Sequence, residues 1–192
     1  AAATGANGAS PASVPVQEAE TAAVYGDYTV RVWKSLDVDA PSAGRTVTIE
    51  RGGRVLACRT EAMGLGALSG TDLDGSGWPN VVIETYSGGA HCCFVTYVYD
   101  LGETLAAVEL PPPPGGNAPI EFADLDSDGV YEILTADDSF AYAYCAFAGS
   151  PAVRVILAYD AGGRRYEPAS PRYPGAYAAS LAQDSGPSPR GR

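Results

Sequence analysis

The sequence predicts a mainly β protein assembled from tandem antiparallel units of propeller-blade or sandwich type. Three observations predict it. Short runs rich in Val, Ile, Thr and Tyr, with apolar residues at alternate positions, recur through the middle of the chain, as half-buried strands require. Turn signals separate them: RGG at Arg51, SGG at Ser87, DLGE at Asp100 and DAGG at Asp160. The pattern also repeats. Two acidic segments begin at Asp72 and Asp124, 52 residues apart, and each leads into a strand and then a hairpin whose first arm ends Tyr-Asp, in YVYDLGETLAAVEL and ILAYDAGGRRYEPA. TVTIERGGRVLAC, upstream, makes a third hairpin of the same kind, giving roughly three units that bury one another's faces. A closed propeller typically takes about four to eight four-stranded blades, so this chain is too short for one.

In chain order, residues 1–17 are uncharged and rich in Ala, Gly, Ser and Pro, and DSGPSPRGR at the other end is similar in kind. The predicted organisation is an N-terminal arm over 1–20, a β domain over 21–170 and a C-terminal arm over 171–192. Strands are expected at Tyr28–Leu36, Arg45–Arg51, Arg54–Arg59, Asn80–Tyr86, His91–Tyr99, Thr104–Leu110, Val130–Ala136, Ala141–Phe147, Ala152–Tyr159 and Arg165–Pro168. Pro111–Pro114 followed by two glycines cannot belong to a central strand and reads as an extended connector. A short helix is expected around Ala176–Gln183. Tyr97, Tyr99, Tyr142 and Tyr144 alternate and are expected to pack across strands.

The acidic segments are DLDGSGWPN, Asp72–Asn80, and DLDSDGVYE, Asp124–Glu132. Oxygen side chains stand at positions 1, 3, 5 and 9, with Gly at position 6 where a tight loop turns. Loop 1 offers Asp72, Asp74, Ser76, Asn80 and the Trp78 carbonyl; loop 2 offers Asp124, Asp126, Asp128, Glu132 and the Val130 carbonyl. A hard cation such as Ca2+ takes about six to eight oxygens, and alternate residues of such a loop supply them. The plainer alternative is a polar turn between strands, since Asp and Gly are common turn residues. Loop 2, with four carboxylates against two, is expected to bind Ca2+ more strongly. Neither loop is an EF-hand, because position 12 is Ile83 or Thr135 rather than a bidentate Glu.

On these loops and the strands that follow them, the chain resembles the FG-GAP repeats of integrin-type propellers and the VCBS-like repeats of secreted bacterial proteins. The resemblance implies D-x-D-x-D-G-x-x-D loops holding Ca2+ just before a strand. Ser76, Asn80 and Glu132 depart from that pattern. The segment SGGAHCC, Ser87–Cys93, is similar to segments that follow such loops in exported bacterial proteins, which implies a shared fold and no particular reaction.

A formal charge of −11 with one lysine excludes a nucleic-acid or anionic-membrane footprint. No apolar run reaches the length of a membrane span. The opening AAATGANGAS lacks Met and fits a product of signal-peptide removal, so export to a bacterial cell surface or beyond is expected. In an exported chain Cys58, Cys92, Cys93 and Cys145 predict two disulfides; adjacent strand residues face opposite ways, so 92 and 93 should each reach one of the other two. A soft-metal site at His91, Cys92 and Cys93 is the alternative. His91 is the only histidine, and no phosphate loop, nucleophile elbow or H-E-x-x-H helix is present, so no enzymatic activity is expected. The resulting expectation is a calcium-binding structural protein that self-associates into an extracellular fibre through its terminal arms. The rivals are an adhesion module for carbohydrate or protein ligands and, behind it, a calcium-dependent hydrolase. The Ser/Thr/Pro arms could carry glycans, although no N-x-S/T acceptor exists.

Overall fold

A computed structural model describes residues 17–35, 44–86, 94–111 and 118–178. The first sixteen residues, the SGGAHCC segment with His91, Cys92 and Cys93, Pro112–Pro114 and residues 179–192 lie outside the described residues.

The described chain is mainly β, in two antiparallel sheets. Seven strands follow one another in sequence order: β1 (Gln17–Tyr25), β2 (Tyr28–Ser35), β3 (Arg45–Arg51), β4 (Arg54–Leu65), β5 (Asn80–Tyr86), β6 (Phe94–Leu101) and β7 (Leu105–Val108). Four more, β8 (Glu121–Ala123), β9 (Glu132–Asp137), β10 (Val153–Asp160) and β11 (Arg165–Pro168), form the second sheet in the order β11-β10-β9-β8. Within each sheet sequence neighbours pair throughout. No closed barrel forms among the described residues.

Two apolar clusters result. β4 pairs with β3 through its first half and with β5 through Ala62–Leu65, with register shifts on either side of Glu61, whose φ is 57°. This bend lets the inward residues Val30, Val47 and Ile49 of β2 and β3 meet Val81, Ile83, Tyr99 and Leu101 of β5 and β6 in one cluster. Residues of opposite parity on the same central strands, Val82 and Val98, join Val108, Leu73, Ile133, Leu157 and Tyr166 in the second cluster, which spans both sheets. β5 is therefore buried on both faces, with Asn80, Val81, Val82 and Ile83 all inaccessible. Only Glu84 looks outward.

The sheets are joined at one edge. Glu109, just past β7, forms a parallel bridge with Arg165: its N–H donates to the Arg164 carbonyl at 3.2 Å and its carbonyl accepts the Tyr166 N–H at 2.9 Å. The outer edges, β1 and β8, have no strand partner among the described residues.

The structure corrects three expectations. Ala141–Phe147 is not a strand: it forms turns running into a 3-10 turn at Phe147–Gly149, with Tyr142 at φ 62°. Tyr142 and Tyr144 are accordingly exposed, while Tyr97 and Tyr99 pack under the Arg59 guanidinium, 4.3 and 5.4 Å from the two ring centres. β1 begins at Gln17, so part of the expected arm is a paired strand. Of the expected C-terminal helix, one turn over 175–178 falls within the described residues. Cys58 and Cys145 are exposed and not bonded to each other, and their expected partners lie outside the described residues.

Candidate metal centre

Each acidic loop connects two neighbouring strands of a four-stranded run, loop 1 between β4 and β5 and loop 2 between β8 and β9. Both turn at the same places. Positions 4 and 6 are left-handed in each: Gly75 and Gly77 at φ 69° and 82°, Ser127 and Gly129 at φ 63° and 87°. Three of these four are glycine, which takes such backbone at no steric cost.

The same four hydrogen bonds close both loops. The position-1 carboxylate accepts the N–H of position 5, at 3.1 Å for Ser76 to Asp72 and 3.1 Å for Asp128 to Asp124. It also accepts that of position 6, at 2.8 Å from Gly77 and 3.2 Å from Gly129. The position-5 side chain accepts the N–H of position 7, Trp78 to Ser76 Oγ at 3.2 Å and Val130 to Asp128 Oδ1 at 2.8 Å. The position-9 oxygen reaches back to position 2, Leu73 N–H to Asn80 Oδ1 at 2.6 Å and Leu125 N–H to Glu132 Oε2 at 2.9 Å. This last bond explains why position 9 tolerates either Asn or Glu, since one oxygen acceptor is what the bond needs.

The loops differ in charge. In loop 2 the carboxylates of Asp124, Asp126 and Asp128 each place an oxygen within 4.8 Å of the other two, partly or wholly in solvent. Two unit charges at that separation repel by roughly 1 kcal/mol even in bulk water, and more near a protein surface. Three such pairs fit a divalent cation, with the Val130 carbonyl beside them in sequence. Ca2+ bound there would supply the charge that holds the three side chains together. Glu132 stands behind this triad, 3 % exposed, with Oε1 accepting the Tyr173 hydroxyl at 2.9 Å.

Loop 1 brings fewer charges together. Among the described residues the loop 2 triad is the one group of three acids close enough to share a cation. Asp74 is 5 % exposed; its Oδ1 accepts the Ser76 N–H at 3.2 Å, and its Oδ2 has no close hydrogen-bond partner among the described residues. Its charge is felt toward the second sheet. Burial first, and then Asp74, pushes the carboxyl of Asp100 up, against the opposing Arg164, whose Nη2 lies 2.9 Å from Asp100 Oδ2. Burial and then Asp74 likewise raise the hydroxyls of Tyr159 and Tyr166.

Sequence reasoning located the nine-residue loops and missed their supports. Asp100 carried a signal, the repeated Tyr-Asp at the hairpin arms; Tyr173 and Arg164 carried none. Tyr173 is pushed up to about 12 by desolvation and then by Glu132. A folded phenol that titrates above its unfolded value contributes stability that is full below pH about 10 and is lost as pH rises toward 12. Ultraviolet titration is therefore expected to show one fewer late-ionising tyrosine in Tyr173→Phe, together with a smaller loss of stability over that window.

No protein-family model matches the chain, and no solved structure matches it. It is similar to a protein of Synechocystis sp. named "Probable thylakoid lumen protein", 32 % identical over 124 residues, covering 61 % of this chain and 36 % of that protein. It is also similar to an uncharacterized protein of Sinorhizobium fredii, 32 % identical over 83 residues, covering 43 % of this chain and 13 % of that protein. The chain thus spans little more than a third of the first relative's length and about an eighth of the second's. Among the described residues no helix is long and apolar enough to cross a membrane.

Proposed function

We propose that this chain is a calcium-binding structural module of FG-GAP or VCBS-like type, working without enzymatic activity outside the cytoplasm. The observation that carries the reading is the Asp124–Asp126–Asp128 triad, held at a strand entrance by a hydrogen-bond pattern that loop 1 repeats. In this reading β4–β7 and β8–β11 are two blade-like repeats, and the cation fixes each loop where it enters its blade. The name of the Synechocystis relative and the even cysteine count support export. Two disulfides joining Cys58 and Cys145 to Cys92 and Cys93 belong to the same proposal, and intact-mass measurement before and after reduction tests them: a gain of about four hydrogens is expected, and no gain contradicts them.

Calorimetric titration of the metal-free protein with calcium tests the module itself. Binding at loop 2 that disappears in Asp126→Asn is expected; equal heats in both proteins contradict it.

Self-association into a fibre or assembly is a second element of the proposal, favoured by the edges at β1 and β8, which have no further strand beside them among the described residues and could accept an added strand. Electron microscopy of the protein with calcium, with and without residues 1–16, tests it. Polymers that shorten on deletion are expected, and a monomer in both preparations leaves only the single module, redirecting the search to adhesion to carbohydrate or protein.

A further inference from the structure

We propose that the two acidic loops form one coupled cation-binding unit, in which filling loop 2 prepares loop 1; the inference rests on the cation reading of both. The loops touch. The Tyr131 N–H, at position 8 of loop 2, donates to the Leu73 carbonyl, at position 2 of loop 1, at 2.9 Å. Val130, at position 7 of loop 2, packs on Gly75, at position 4 of loop 1, so closely that a Cβ there would stand 2.8 Å from Val130 Cγ2. The contact is set in the inter-sheet core: Leu73 is fully buried beside Ile133 and Tyr166, and the Tyr166 hydroxyl holds the Tyr131 carbonyl at 3.1 Å.

The chemistry of the triad turns this contact into a coupling. Without a cation the three carboxylates of loop 2 repel one another, and relief comes from spreading the loop. Spreading displaces Val130 and Tyr131, whose N–H is the partner of the Leu73 carbonyl. Leu73 is also the residue whose N–H donates to Asn80 Oδ1, one of the four bonds that close loop 1. A cation at loop 2 therefore removes part of the ordering cost that loop 1 must meet, and linkage makes the effect reciprocal.

The chain carries its own reporter. Trp78 lies at position 7 of loop 1, and Trp33 is the only other tryptophan. In a Trp33→Phe parent, Trp78 emission reads loop 1 during a calcium titration, and calorimetry counts both loops. Asp126→Asn, which alters only loop 2, is expected to move the Trp78 midpoint to about tenfold higher calcium. Val130→Ala, which keeps every side-chain ligand and the position-7 carbonyl, is expected to move it the same way by less, and it decides the matter if Asp126→Asn does not fold. An unmoved midpoint in the folded variants overturns the coupling, as does a midpoint moved to lower calcium. A parent in which calorimetry counts one cation and Trp78 is silent also overturns it. A parent that gives neither heat nor a Trp78 change overturns the cation reading itself, and the coupling with it.

Discussion

Leu73→Ala is expected to lower the free energy of unfolding by about 3–5 kcal/mol, the upper part of the range for truncating a fully buried leucine. Leu73 belongs to a loop by sequence and to the core by position: it has no accessible surface and sits among Val82 and Val98 of one sheet and Ile133, Leu157 and Tyr166 of the other. Its removal leaves a cavity where the two sheets and both acidic loops meet. The neighbours are rigid strand residues, so collapse onto the hole is limited. Leu125, the equivalent residue of loop 2, is only half-buried, and Leu125→Ala is expected to cost clearly less. Urea unfolding of the two variants checks the order; equal losses would show that loop 1 is not wedged into the core.

Calcium bound at loop 2 alone is expected to raise the melting temperature by roughly 5–10 °C when present at about a hundred times that loop's dissociation constant. Mass action gives about 2.7 kcal/mol per site under those conditions, and a domain of this size gains about 2–4 °C per kcal/mol. The chelated protein loses that increment, because Asp124, Asp126 and Asp128 then face one another without a counter-charge. Asp126→Asn removes one charge of three. It is expected to melt slightly higher than the parent without calcium and to gain little when calcium is added. Thermal melts followed by circular dichroism, with and without chelator, check both signs.

The strands most legible in the sequence were those rich in β-branched residues and marked at their ends by turn signals. Asn80–Tyr86 and Arg45–Arg51 fall between turn signals and carry β-branched residues, and the structure gives them those bounds. β1 was not legible because QEAETAAVY is rich in Ala and Glu, poor strand formers; it is a strand because a Gly26-Asp27 turn folds it onto β2 in register. Ala141–Phe147 misled in the other direction. Its alternating aromatics mimic a strand, yet its rings stack locally in solvent, Phe140 on Tyr144 with centroids 6.4 Å apart, and no strand among the described residues pairs with its backbone.

At the candidate site, spacing alone placed the loops, because a turn this tight fixes which positions carry the accepting oxygens and which carry left-handed backbone. What spacing could not supply is the tertiary partnership. Glu132 and Tyr173 are 41 residues apart, and Asp100 and Arg164 are 64 apart. Neither pair shares a motif: Glu132 of β9 meets Tyr173 only after β10 and β11 have folded beside it, and Asp100 of β6 meets Arg164 only when the second sheet docks beside β7. The contact of Leu73 with Tyr131 is of the same kind, joining two repeats that sequence presents as separate.

The central claim, that this fold is built around bound calcium, is tested most directly by native mass spectrometry of the metal-free protein exposed to calcium. Two added calcium ions are predicted, with the triad filling first and Asp126→Asn losing that first ion. An unchanged mass at calcium concentrations of the order of 1 mM, weak even for extracellular modules, would contradict the account and leave the acidic loops as hydrogen-bonded turns.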